Sequence, residues 1–132
     1  MEQKGTGGAS YRDLLVWQKA VDLVEEVYLA TRAWPREELY GLTNQVRRAV
    51  VSVPANIAEG QGRNSRAEFM QFLAVARGSL HEVETHLVIA RRLQYLPVPA
   101  YDALIWRTTE VARLISGLSK HLRGRTPASS NN

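Results

Sequence analysis

The chain has 132 residues, 45% of them hydrophobic, which suits one domain able to bury a core without staples. It contains no cysteine, which excludes disulfides, thiol nucleophiles, thiolate zinc sites and iron–sulfur clusters and fits a reducing compartment. Seventeen basic residues against thirteen acidic ones leave a net charge of +4, and fourteen of the basic residues are arginine, whose flat fork suits carboxylate or phosphate.

Residues 1–10, MEQKGTGGAS, are Gly-rich and lack the apolar core of a signal peptide, so they read as a flexible tail. Residues 124–132 (GRTPASSNN) read the same way, leaving 11–123 as the folded domain. No apolar run approaches the ~20 residues that span a bilayer, so a cytoplasmic protein without a membrane partner is expected.

The first helix is expected over 13–33, with Trp17, Ala20, Val21, Val24, Val27 and Tyr28 at three- and four-residue spacing. Pro35 stops it. The second is expected to start near Arg36, with Glu37 and Glu38 at the positive end of its dipole. Its core stripe is Leu42, Val46, Ala49, Val53 and Ile57, and Gly60 and Gly62 end it. Pro54 removes the amide that would bond the Val50 carbonyl and should kink the helix.

The third helix opens on Ser65-Arg66-Ala67-Glu68, a capping box. Its stripe is Phe69, Phe72, Leu73, Ala76, Leu80, Val83, Leu87 and Ala90. The fourth begins near Pro97 or Pro99 and carries Tyr101, Leu104, Thr108, Val111, Ile115, Leu118 and Leu122, a heptad seam with one threonine. Long helices on short connections predict an all-α, antiparallel up-down-up-down four-helix bundle with a proline-kinked second helix.

Two features exceed a simple bundle. Between Ala49 and Ala58 the second helix reads AVVSVPANIA, and Val51, Ala55 and Ala58 project away from its core stripe. A helix that is apolar on several sides is buried on several sides, so these residues predict a subunit interface. Val75, Ile89 and Leu93 form a second such stripe on the third helix; the alternative is a surface patch of small residues. Beside the core stripe runs a polar one: Gln45, Arg48, Ser52, Asn56, Glu59 and Arg63. Polar groups at the edge of a core are tolerated when paired. A hairpin of helices two and three places Arg48 near Leu80, within reach of Glu82 or Glu84. The row is then a structural network fixing register, or a ligand or RNA contact.

The chemistry of catalysis is missing. His81 and His86 stand at i and i+5, whereas a zinc-protease helix needs i and i+4. No Glu-x-x-His of a di-iron bundle occurs. Gly60-x-Gly62 lacks a third glycine and a preceding strand, and Ser52, Ser65 and Ser79 have no evident His-and-acid partners. A non-enzyme without cofactor or metal is expected. Trp106, Arg113 and Lys120 share the outer side of the fourth helix, where an aromatic among cations can stack a base and hold phosphate. Arg63, Arg66, Arg123 and Arg125 are further basic candidates. The competing reading is an interface tryptophan beside cations that complement a helix C-terminus.

The segments YRDLLVWQKA (11–20), ELYGLTNQVRRAVVSVPANIAEG (38–60), SRAEFMQFLAVARGSLHEVETHL (65–87) and ARRLQYL (90–96) closely resemble the 23S rRNA intervening-sequence proteins. The resemblance covers about residues 11–120. It implies an up-down bundle assembled as a ring, typically a homopentamer. The family is also similar to the accessory protein of diversity-generating retroelements, which binds a reverse transcriptase and its RNA template. No catalytic residue carries over. Two functions follow: an oligomeric RNA-binding accessory protein, or an oligomeric protein-interaction scaffold with no nucleic-acid role.

Overall fold

The computed structural model describes residues 10–124. The outer tail residues and Arg125 lie outside the described residues. A short 3-10 turn, Tyr11–Asp13, leads into α1 (Leu15–Thr31), and a second, Arg36–Glu38, precedes α2 (Leu42–Gln61). Then come α3 (Arg66–Arg92) and α4 (Val98–Gly124). The described residues form helices joined by turns and contain no strand.

Each helix packs on its neighbours in sequence and α4 closes on α1, which makes a four-helix bundle; the α2–α3 contact is the most extensive. The directions alternate. Lys19 of α1 meets Glu110 of α4 at 3.8 Å, while Glu26, further along α1, meets the earlier Arg107 at 3.3 Å. Between α2 and α3, Ser52 bonds Ser79, and Gly60 lies against Phe72 and Phe69.

The core lies where the apolar stripes converge. On α4 the seam is as its spacing predicts: Leu104, Thr108, Val111 and Ile115 are buried. Thr108 tolerates burial because its hydroxyl donates to the Leu104 carbonyl one turn back, at 2.7 Å. On α3 the buried set is Leu73, Ala76, Ser79, Leu80, Val83, Leu87 and Ala90. On α2 it includes Val46, Ala49, Val53 and Ile57, joined by Val50, Pro54 and Gly60. The α2 helix runs through Pro54 as one element.

Two expectations change. The stripe of α1 is Val16, Ala20, Leu23 and Val27, whereas Val21 and Tyr28 are exposed. That helix is apolar on most sides, so spacing alone did not select the buried face. The second helix starts at Leu42 rather than near Arg36. Glu38 nevertheless serves its dipole, because its Oε1 accepts the Leu42 amide at 3.0 Å from outside the helix. Its Oε2 accepts the Tyr95 hydroxyl at 2.9 Å, tying this end of α2 to the α3–α4 turn. Those two bonds, the backbone one first, hold the Glu38 carboxyl below the usual glutamate range.

The helix ends follow local chemistry. Ser65 Oγ accepts the Glu68 amide at 3.1 Å, the serine half of the expected capping box. At the end of α3, Gln94 takes a left-handed conformation (φ 64°) while the Tyr95 amide bonds the Ala90 carbonyl at 2.9 Å. That is a Schellman ending with glutamine where glycine is usual.

Candidate functional site

The outer face of α2 lines a chain of adjoining hollows. One, of about 470 Å³, holds Gln45, Arg48, Ser52, Glu82 and His86. The structure therefore brings Arg48 and Glu82 to one groove, but it forms no salt bridge between them, and Glu84 is not in the lining. The expected desolvated ion pair is corrected to an exposed arginine and an exposed glutamate. The polar row is joined to α3 instead through hydroxyls. Ser52 donates to the Ala49 carbonyl at 2.9 Å and shares a short hydrogen bond with Ser79. Ser52 has one proton, so Ser79 is the donor in that contact. Asn56 donates to the Ser52 carbonyl at 2.8 Å, and Arg63 pairs with Glu59 at 2.7 Å on the surface. His86 Nδ1 is buried without a partner. Burial pushes the His86 pKa down, with the Glu82 charge opposing.

A second hollow, of about 580 Å³, is more apolar. Tyr28, Leu39, Tyr40 and Val51 line it beside Arg47 and Arg48. Tyr40 is 90% exposed, and the Arg47 guanidinium lies 4.6 Å from the centre of the Tyr28 ring. The sequence reading did not single out Leu39, Tyr40 or Arg47, and it placed Tyr28 in the core. The available signal was a Leu-Tyr pair directly before the turn at Gly41, with no polar residue to cover it.

The residues expected at a subunit interface lie on the surface of the single chain. Val51, Val75, Ile89 and Leu93 are 42%, 54%, 40% and 50% exposed, Ala55 is exposed and Ala58 is half-buried. Other large apolar side chains are exposed elsewhere on the chain, among them Leu15, Leu29, Tyr40 and Trp106.

On α4, Trp106 is 62% exposed and shares a hollow of about 600 Å³ with Arg113. Asp102 and Glu110 line the same hollow, so its charge is mixed rather than basic. Lys120 is exposed but not in that lining, two turns beyond Arg113. Arg63 is occupied by Glu59 and by the Phe72 ring, 4.8 Å away. Arg66 and Arg123 are exposed on the surface.

Among the described residues no group of three or more His, Asp or Glu is placed to hold a metal ion, and no helix is long and apolar enough to cross a membrane. The profile of the 23S rRNA-intervening sequence protein family matches residues 12–117, most of the chain. The chain belongs to that family. Among solved structures, this 23S rRNA-intervening sequence protein is similar to a protein of unknown function from the S23 ribosomal protein family of Bacteroides thetaiotaomicron. The two are 26% identical with a TM-score of 0.73, over 80% of this chain and 99% of the other. No curated protein matches.

Proposed function

We propose that the chain assembles into a cytoplasmic ring, a homopentamer, that works as a non-enzymatic RNA-binding accessory protein. Support for assembly comes from the exposed apolar residues of α2 and α3, Val51 and Ala55 on one and Val75, Ile89 and Leu93 on the other. The observation that carries the RNA reading is the unbalanced arginine. Arg32, Arg36, Arg47, Arg48, Arg113 and Arg123 make no ion pair with any described residue. A ring repeats that excess by symmetry, concentrating a field that one chain at +4 only begins to supply. Crosslinking in the native host, followed by sequencing of the RNA recovered with the protein, tests this reading. A discrete enriched RNA is expected, and recovery no better than a mock pull-down would refute it.

The second reading, a protein-interaction scaffold, is favoured by one feature. The Tyr28, Leu39, Tyr40 and Val51 hollow is apolar and aromatic, the composition of a protein contact rather than a phosphate contact. A protein partner such as a reverse transcriptase would dock there. Mass spectrometry of the same crosslinked material separates the two: protein adducts at Tyr40 without RNA adducts favour the scaffold.

A further inference from the structure

The turn from α1 to α2 gathers three arginines around one hollow of about 410 Å³, lined by Thr31, Arg32, Trp34, Arg36, Thr43 and Arg47 among others. No carboxylate lines it. Arg47 is fixed in place: its Nε donates to Thr31 Oγ1 at 2.9 Å, and its plane lies over Tyr28. The two terminal nitrogens of its fork bond no described residue. Arg32 and Arg36 are exposed and make no ion pair with any described residue. Neither acid that follows Arg36 in the chain lines the hollow: Glu37 is exposed, and Glu38 accepts the Leu42 amide and the Tyr95 hydroxyl. Trp34 is 6% exposed, and its indole N–H is buried with no acceptor. Three like charges at one hollow repel.

We propose that this hollow is an oxyanion pocket that takes a phosphate group, as inorganic phosphate or as the phosphate of an RNA. The lining supplies the N–H donors of three guanidiniums and contains no acid. A planar carboxylate is satisfied by one arginine fork, whereas a tetrahedral dianion presents lone pairs in enough directions for three. The pocket lies apart from the α4 row and needs only phosphate as ligand, so it stands whether or not the ring binds RNA.

The test is a titration of the full-length ¹⁵N-labelled protein, followed at the indole N–H signals of its three tryptophans. Sodium phosphate is compared with sodium acetate and sodium chloride at matched ionic strength. The Trp34 signal should shift saturably with phosphate, while those of Trp17 and Trp106 stay in place. The paired exposed substitutions Arg32→Gln and Arg36→Gln should leave the spectrum folded and weaken phosphate at least about tenfold, the factor expected for one lost charge-assisted bond. A Trp34 signal that follows ionic strength alone, responds equally to acetate, or is indifferent to the double substitution overturns the proposal. Short RNAs with and without a 5′-phosphate identify the source. A Trp34 shift at lower concentration with the 5′-phosphorylated RNA than with inorganic phosphate assigns the pocket to RNA. The reverse order assigns it to free phosphate, and either order supports the pocket.

Discussion

Replacing Gly60 by alanine should destabilise the protein even though alanine is the better helix former. A Cβ at position 60 would stand 2.7 Å from Phe72 Cβ and 2.9 Å from Phe69 Cδ1. The first neighbour is fixed to the α3 backbone and the second belongs to a rigid ring, so relief requires α2 and α3 to separate where they pack most extensively. Overpacking of this kind costs ~1–3 kcal/mol, and the gain in helix propensity from glycine to alanine returns only ~1 kcal/mol. The net loss is up to about 2 kcal/mol, which lowers Tm by up to roughly 7 °C in a domain of this size. Gly78→Ala and Gly117→Ala provide the control. Both lie inside helices with nothing within 4 Å of the added Cβ, so each should raise stability by up to ~1 kcal/mol. The assay is thermal unfolding followed by circular dichroism, at one protomer concentration because an assembly makes Tm concentration-dependent. A Gly60→Ala protein that melts with or above Gly78→Ala would refute the close α2–α3 approach.

Val51→Glu and Ala55→Glu should each dissociate the assembly by placing an unpaired charge in an apolar contact, seen as a fall in mass by light scattering; unchanged mass for both would mean the interface lies elsewhere. Arg48→Ala should change stability by less than ~0.5 kcal/mol, since the exposed side chain has no ion-pair partner; a large loss of Tm would restore the buried-pair reading. The folded-state pKa of Glu38 is depressed, so its contribution is fully present above the usual glutamate range and is lost as pH falls through the folded value. The Tm gap between wild type and Glu38→Gln should therefore be constant near neutrality and close in acid, and a gap independent of pH would contradict the Leu42 and Tyr95 bonds.

What the sequence could reveal depended on how sharply each helix separates its faces. The α4 seam of Leu104, Thr108, Val111 and Ile115 was legible because apolar residues there repeat with one period and polar ones fill the rest. The α1 stripe was misplaced because Leu15, Val21 and Leu29 are as apolar as the buried Val16, Leu23 and Val27. Glu38 was placed at the right dipole, but it closes a 3-10 turn, and Leu39, Tyr40 and Gly41 separate it from the helix it caps. The Arg48 pairing did not fail on register: the Ser52–Ser79 contact sets Arg48 level with about Val83, beside Glu82, but both side chains are exposed, and water replaces the ion pair that burial would have required. The arginine pocket was invisible for another reason. Arg32 and Arg36 read as ordinary helix-end cations, and Arg47, eleven residues later, joins them only when the chain turns back.

The central claim, an assembled ring that holds RNA by charge, is tested most directly by filter binding of a structured RNA to the intact assembly over a range of salt concentrations. Binding should be saturable at low salt and weaken with salt, the logarithmic slope growing by ~0.7–0.9 for each phosphate neutralised. An intact assembly that retains no RNA at low salt would contradict it.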